Sequence, residues 1–181
     1  DSSRRQRQMC IRDSNCADDQ PNSIAVLAAA PRGTLLHAPD CYMNKLAAGP
    51  ALAGHVSLEG GAVYNIEQAM HVLDCEAKDV RIVALDRERH HQLFREISET
   101  GAQLELLGDG DVAGAIWAAK DDGPFDMLMG VGAAPEGVIS ATAIRGIGGV
   151  FEGRLVFRSA QEEARAETMV GDDLGRLWQA T

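Results

Sequence analysis

Acidic residues accompany glycine-containing segments at two places in the chain. Asp109 and Asp111 flank Gly110, and Glu136 follows the small-residue run Gly130–Pro135. The run predicts a tight turn that leads directly into a helix. The N–H groups of a helix start suit phosphate, and convergent carboxylates suit a divalent metal ion or sugar hydroxyls. The two segments together indicate metal-assisted chemistry on a phosphorylated sugar.

Glu136 is predicted in the first turn of its helix, and two explanations compete for it. Acids are favoured at that position by the helix dipole, whatever their function. Gly130 and Gly132 favour a functional explanation, because a close approach of the backbone to a ligand needs residues without side-chain bulk. A carboxylate beside a bound phosphate repels it unless a cation lies between them, so we interpret Glu136 as a metal ligand.

Asp109 and Asp111 also have a structural and a functional explanation, and the residues alone leave both open. An N-cap followed by a first-turn acid is a common helix start. The functional explanation is that the two carboxylates accept hydrogen bonds from sugar hydroxyls.

The charged run Arg87–His91 is predicted at the start of a further helix. Such runs usually form a solvated face. Arginines at a helix N-terminus are unfavourable against the dipole, so Arg87 and Arg89 there favour an anionic partner, and bidentate pairing with phosphate is the natural candidate. We do not expect His90 and His91 to ligate one metal, since adjacent side chains on a helix point apart. Tyr42 is interpreted either as an amphipathic rim residue or as a contact to phosphate or sugar.

The composition narrows the class of protein. The 181 residues are enough for one domain with a real core, and the net charge of −10 argues against nonspecific nucleic-acid binding. No apolar run reaches the length of a membrane span, so no membrane association is expected. The cysteines form no Cys-x-x-Cys pair, which is typical of reduced thiols in the cytoplasm. No Ser-His-Asp order, P-loop or dinucleotide fingerprint is present.

The first 14 residues do not resemble part of a domain. They carry four arginines and no apolar periodicity, and Gln8–Ser14 resembles the translation of a transposase adapter used in sequencing libraries. We expect an adapter artefact here, the alternative being a natural basic tail. The folded domain is therefore expected over 15–181.

Strands and helices are predicted from apolar periodicity and from turn residues. The first part of the chain is predicted to form a hairpin of strands over 23–28 and 34–37, a loop with a short helix over Pro39–Gly49, and a helix over Asn65–Leu73. The later strands are predicted over Arg81–Leu85, Gln103–Leu107, Asp126–Val131 and Val150–Phe157. The later helices are predicted over Arg87–Thr100, Asp109–Lys120, Pro135–Ile147 and Ala160–Met169.

Alternating strands and helices with short connections favour an α/β domain with a largely parallel sheet. In such a sheet, ligands bind at the carboxyl ends of the strands. Three polar segments, 86–89, 109–111 and 132–136, each follow a predicted strand directly. We therefore expect them to converge on one pocket.

These residues resemble the class II fructose-1,6-bisphosphatases, a group that includes bifunctional fructose/sedoheptulose bisphosphatases. The matching segments are Asn22–Leu27, Ala38–Leu46, Leu85–His90, Asp109–Val112 and Gly130–Leu155. They occur in the family's order with closely similar spacing, and the resemblance is best over 15–155.

The resemblance implies a layered α/β/α/β/α sugar-phosphatase fold, here incomplete at both ends. It implies hydrolysis of the 1-phosphate of fructose 1,6-bisphosphate, a step of gluconeogenesis, by a water activated on Mn²⁺ or Mg²⁺. Glu136 would be a metal ligand. The implied substrate-binding residues are Tyr42, Arg87, Glu88, Arg89, Asp109, Gly110, Asp111 and Ala133. A small sugar bisphosphate would be the partner, and the intact enzyme could be a homo-oligomer.

The chain departs from the family in two respects. The family usually has glycine where Ala133 stands, which leaves a backbone N–H contact but adds a methyl group near the ligand. The family's other metal acids and its Asp-Pro-x-x-Gly-Thr motif lie upstream of the Asn15 equivalent. One acid cannot hold a two-metal site, so we expect negligible phosphatase activity from the chain as written. The alternatives are a non-catalytic phosphosugar-binding module and a phosphatase for another substrate, such as sedoheptulose 1,7-bisphosphate.

Overall fold

The computed structural model describes residues 26–180. Its strands are β1 (Tyr42–Ala48), β2 (Arg81–Leu85), β3 (Gln103–Leu107), β4 (Met127–Ala133), β5 (Val150–Val156) and β6 (Trp178–Gln179). They form a six-stranded sheet in the order β3-β2-β4-β1-β5-β6. Its helices are α1 (Gly61–Leu73), α2 (His91–Thr100), α3 (Asp111–Ala119), α4 (Ala134–Ile147) and α5 (Ala160–Val170). Short 3-10 turns occupy Pro50–Leu52, Leu58–Gly60, Ala77–Asp79, Glu88–His90 and Gly171–Gly175.

The alternation predicted from Arg81 onward is confirmed. β2 and β3 have the predicted bounds, and the other elements of this region shift by one to four residues. β2 is parallel to β3 and to β4. β4 and β5 run in the same direction, because both are antiparallel to β1.

The prediction for Pro39–Gly49 is wrong, since most of this segment is β1, at the middle of the sheet. Met, Lys, Leu and Ala favour helix by intrinsic propensity. Here tertiary pairing outweighs that propensity: all seven residues pair with β4 on one side and with β5 on the other. β1 is antiparallel to both, and β6 is antiparallel to β5. The sheet is therefore mixed, and the expectation of a largely parallel sheet is wrong.

The predicted hairpin is also wrong within the described part of the chain. Residues 26–28 and 34–37 are not in strands, and 23–25 lie outside the described residues, as do 1–14. The turn between the two runs does form, because both the N–H and the hydroxyl of Thr34 donate to the carbonyl of Pro31. The apolar run does not reach the core, since Leu27 is 92% exposed. A short apolar run without a partner strand does not define a strand.

Two apolar clusters cover the opposite faces of the sheet. Met43, Val83 and Leu128 pack with residues of α3 and α4 on one face. Leu46, Ile82 and Met127 pack with residues of α1 and α2 on the other. The α/β class is confirmed, with one sheet between two helix layers in the part that the structure describes. No described helix is long and apolar enough to cross a membrane.

Candidate functional site

The loops after β2 and β3 and the junction of β4 with α4 lie at one edge of the sheet. The loop after β2 begins at Asp86, whose N–H donates to the carbonyl of Leu107 at the end of β3 (2.8 Å). The loop after β3 holds Asp109 and Gly110, and β4 passes directly into α4 at Ala134. The three polar segments therefore lie at one edge of the sheet, while their convergence on one pocket stays a prediction.

Arg89 and Tyr42 are in contact at this edge. The Nε and Nη2 atoms of Arg89 both donate to the carbonyl of Val131, at 3.0 and 2.7 Å. Its Cζ lies 4.6 Å from the centroid of the Tyr42 ring, within the range of a cation–π interaction. Tyr42 pairs with Ala133 across β1 and β4, and Glu136 lies in the first turn of α4 beyond Ala133. The structure thus brings Tyr42, Arg89 and Ala133 together beside the start of α4.

Arg87 connects two of the loops. Its Nη1 donates to the carbonyl of Asp86 (2.7 Å) and to that of Gly108 (2.8 Å). Glu88 is exposed and opens the 3-10 turn Glu88–His90. The helix predicted from Arg87 therefore begins with this turn, and its α-helical part starts at His91. Arg87 binds the backbone of the loop that carries Asp109, so it orders that loop.

Asp111 is buried and forms an ion pair with Lys45. The Nζ of Lys45 lies 2.6 Å from Oδ2 of Asp111, and the two side chains are 2% and 11% exposed. Asp111 is the first residue of α3, and its N-cap is Gly110. Asp109 is therefore not the N-cap. Oδ2 of Asp111 is therefore paired with Lys45, a partner that no pattern in the sequence predicts.

Gly130 and Gly132 lie in β4 rather than in a turn, so the predicted tight turn is wrong. A Cβ at Gly132 would overlap Oδ2 of Asp111, and one at Gly130 would lie 3.0 Å from the ring of His90. The interpretation that these glycines make room for a ligand is replaced, because this chain's own side chains occupy that space. Gly132 accommodates the ion pair, and Gly130 accommodates the histidine ring.

Arg158 also lies at this edge and was missed by the sequence analysis. Its Cζ is 4.6 Å from the centroid of the Tyr42 ring, and its guanidinium forms an ion pair with Glu162. The hydrogen bonds from Arg158 hold the pKa of Glu162 below its ordinary value. Tyr42 pairs with Val156 at the end of β5, and this register brings the next residues to the edge. The position of Arg158 could not be predicted from the sequence, because β1 was not predicted as a strand.

The described residues do not form a metal site by themselves. No three His, Cys, Asp or Glu residues within 26–180 are grouped so that they could hold a metal ion. Mg²⁺ and Mn²⁺ need several oxygen ligands, and Glu136 supplies one carboxylate. The residues at hand therefore fit part of a metal site at most.

The fold and the edge define the chain as a layered α/β protein with arginines at the strand ends, an arrangement suited to phosphate. The family model described as bacterial fructose-1,6-bisphosphatase, glpX-encoded, matches residues 13–181. The chain belongs to this family. The match begins two residues before the predicted domain start at 15.

Several curated relatives share the same printed name, D-fructose 1,6-bisphosphatase class 2/sedoheptulose 1,7-bisphosphatase. The one from Prochlorococcus marinus subsp. pastoris is 47% identical over 145 residues, 80% of this chain and 44% of that protein. The one from Thermosynechococcus vestitus is 46% identical over 80% of this chain and 42% of that protein. A Synechococcus relative is 46% identical over 164 residues, 90% of this chain and 49% of that protein. The chain thus spans less than half the length of each.

Proposed function

We propose that the intact protein hydrolyses the 1-phosphate of fructose 1,6-bisphosphate in a reaction that depends on Mn²⁺ or Mg²⁺. Membership of the family and the printed names of the relatives support this activity. The observation that carries the proposal for this chain is the contact of Arg89 with Tyr42 at the edge where the three polar segments lie. Arginine is the side chain best suited to bind phosphate in a fixed orientation.

The substrate is proposed to lie against the loops at this edge. Arg89 would bind a phosphate, and Arg87 would hold the loop after β3 in place. Asp109 would orient the sugar through its hydroxyls, and Asp111 would contribute only Oδ1, because Lys45 holds its Oδ2. The proposed lining residues are Tyr42, Arg87, Glu88, Arg89, Asp109, Gly110, Asp111 and Ala133.

Glu136 is proposed to contribute one carboxylate to the divalent metal site of the intact protein. Its place in the first turn of α4, beyond Ala133, supports this role. The remaining ligands would come from parts of the family's sequence outside this match. By itself the chain is therefore proposed to have negligible phosphatase activity, because one carboxylate does not retain a catalytic ion.

Sedoheptulose 1,7-bisphosphate is a second candidate substrate, because the relatives' printed names include that activity. A non-catalytic module that binds phosphosugars is the alternative for the chain alone. The intact protein is proposed to be cytoplasmic and to act in carbohydrate metabolism, in gluconeogenesis and the use of glycerol, with a homo-oligomeric assembly.

Phosphate release from fructose 1,6-bisphosphate tests the proposal. The chain alone, with Mn²⁺ or Mg²⁺, is expected to show no release above the blank, while a full-length relative serves as the positive control. The variant R89Q introduced at the matching position of that relative should raise KM strongly. The variant R95Q is the control, because Arg95 is an exposed arginine in the second turn of α2. Metal-dependent turnover by this chain alone would contradict the proposal for the chain, and an R89Q variant with unchanged KM would contradict the role of Arg89.

A further inference from the structure

The His90 ring is buried between the ends of two strands, and both its nitrogens have partners. The residue is 2% exposed. Nδ1 lies 2.7 Å from the carbonyl oxygen of Leu85, the last residue of β2. Nε2 lies 2.7 Å from the backbone nitrogen of Val131 in β4. The ring therefore bridges two strands at the edge where the candidate site lies.

These partners determine which nitrogen carries the proton. A carbonyl can only accept, so Nδ1 carries the hydrogen toward Leu85. A backbone N–H can only donate, so Nε2 presents its lone pair to Val131. The absence of a side chain at Gly130 leaves room for the ring, since a Cβ there would lie 3.0 Å from Cε1 and Nε2. The ring is thus held as one neutral tautomer in one position.

The backbone of Val131 is hydrogen-bonded to both His90 and Arg89. The pairs between β2 and β4 end at Val83 and Leu128, so β2 does not pair with Val131. His90 accepts from the N–H of Val131, while Arg89 donates twice to its carbonyl, at 3.0 and 2.7 Å. Neighbouring side chains of one turn therefore satisfy both backbone groups of Val131.

The arginine that these bonds orient is the one over Tyr42. Two of its five N–H groups are used on the carbonyl of Val131, and phosphate oxygens could accept from the other three. A shift of the Val131 carbonyl would move the guanidinium away from its position 4.6 Å from the Tyr42 ring centroid. The position of Arg89 thus depends on how firmly Val131 is held.

We propose that His90 is a positioning residue for the phosphate-binding arginine. It fixes the Val131 peptide groups, and through them it holds Arg89 over Tyr42. The binding of substrate phosphate by Arg89 rests on the function proposed above. The contacts that connect His90 to Arg89 through Val131 are present in this chain by itself. Charged groups around the ring are Arg87 and Arg89 from the same turn, and Lys45 and Asp111 line the small space beside it.

Two variants separate this role from simple packing. In H90Q the amide oxygen can replace Nε2 and accept from Val131, but the bond to Leu85 is lost. In H90N the amide nitrogen can replace Nδ1 and donate to Leu85, but the bond to Val131 is lost. Each variant loses one buried hydrogen bond, so a purely structural role predicts similar effects. H91N is the matched control, because His91 is the exposed neighbour of His90.

The first readout is hydrogen exchange of the Arg89 Nε–H, measured by NMR on the isotope-labelled chain. We expect H90N to accelerate exchange by about tenfold, and H90Q and H91N by less than about threefold. Equal acceleration in H90N and H90Q, or none in H90N, would overturn the proposal. The imidazole nitrogen shifts of the unmutated chain are a test that needs no variant: Nδ1 must be protonated, and a proton on Nε2 would overturn the proposal.

The second readout is the dissociation constant for fructose 1,6-bisphosphate, measured by calorimetry. It should rise by about tenfold in H90N and by less than about threefold in H90Q and H91N. Absence of binding to the unmutated chain, together with the expected exchange pattern, would refute the proposed phosphosugar site of this chain and leave the positioning of Arg89 supported. Binding that H90N does not weaken would show that the position of Arg89 does not matter for the ligand, which would overturn the proposed link.

Discussion

The Nζ of Lys45 lies 2.6 Å from Oδ2 of Asp111, in the interior of the domain beneath Gly132. Lys45 belongs to β1 and Asp111 begins α3, so the ion pair joins the middle of the sheet to the helix packed on it. Both charges are almost fully removed from water. A buried pair tolerates the loss of both partners far better than the loss of one.

Replacing Lys45 alone should therefore destabilise the domain strongly. K45M leaves the Asp111 carboxylate buried without its counter-charge, and we expect the free energy of unfolding to fall by about 3–5 kcal/mol. Urea unfolding followed by circular dichroism measures this change. The double variant K45M/D111L should recover most of the loss, because it leaves no unpaired charge.

The control for this prediction is K78M. Lys78 pairs with Glu76, but both side chains are at least 70% exposed, so the change should be below about 1 kcal/mol. A K45M variant that is as stable as K78M would contradict the buried ion pair.

Gly132 and Gly146 should respond in opposite directions to alanine. At Gly132 a Cβ would overlap Asp111 Oδ2 and lie 3.0 Å from Lys45 Nζ, so G132A should cost roughly 1–3 kcal/mol. At Gly146, within α4, a Cβ would meet nothing within 4 Å, and G146A should stabilise by up to about 1 kcal/mol. Thermal melting of the two variants checks the signs. A G132A variant that melts at or above the temperature of the unmutated chain would show that packing at Gly132 is not tight.

His90 should make the stability of the domain depend on pH. Burial is the main cause that lowers the pKa of His90 below its ordinary value of 6.5. The folded state therefore binds the proton less readily than the unfolded state does. The stability that neutral His90 contributes is complete above about pH 6.5 and is lost as the pH falls through the lower pKa of the folded state.

Urea unfolding at about pH 7.5 and about pH 5.5 measures this dependence. The unmutated chain should lose more stability between these values than H90Q does, and H91Q should behave like the unmutated chain. Because each variant differs from the unmutated chain at a single residue, the difference between its loss of unfolding free energy and that of the unmutated chain reports on that residue. An equal loss of unfolding free energy in the unmutated chain and in H90Q would contradict a histidine buried in its neutral form.

Cys41 should be nearly inert to alkylation. It is 3% exposed, and burial is the main cause that raises its pKa to about 11. Iodoacetamide reacts with the thiolate, which is scarce at about pH 8 for such a group. Mass spectrometry should find Cys75, which is partly exposed, modified much faster than Cys41 in the folded chain and at a similar rate after denaturation. Rapid modification of Cys41 in the folded chain would contradict its burial.

The sequence predicts the fold well where local patterns decide it. Arg81–Leu85 is a short apolar strand followed by a helix with one clear apolar side, and turn residues mark the ends of this strand and of Gln103–Leu107. β1 could not be predicted in the same way. Its residues favour helix locally, and only the two neighbouring strands, both more than 70 residues away in sequence, make it a strand.

The candidate site shows the same contrast between features set by local patterns and features set by distant residues. The three polar segments could be located because they directly follow predicted strands, and the ends of such strands share an edge. The partners of those residues could not be predicted, because they depend on β1. Lys45, which neutralises Asp111, lies on β1, and Arg158 reaches the site through the pairing of β5 with β1. The two glycines were assigned to a ligand because the side chains that fill their space come from distant parts of the sequence.

Titration of the isotope-labelled chain with fructose 1,6-bisphosphate, followed by NMR, shows whether the segments at this edge bind a phosphosugar. We expect saturable shifts of backbone amides in 86–90, 108–111 and 133–136, lost in R89Q and retained in R95Q. No binding, or shifts confined to residues away from this edge and unaffected by R89Q, would contradict the claim that these loops form a phosphosugar site.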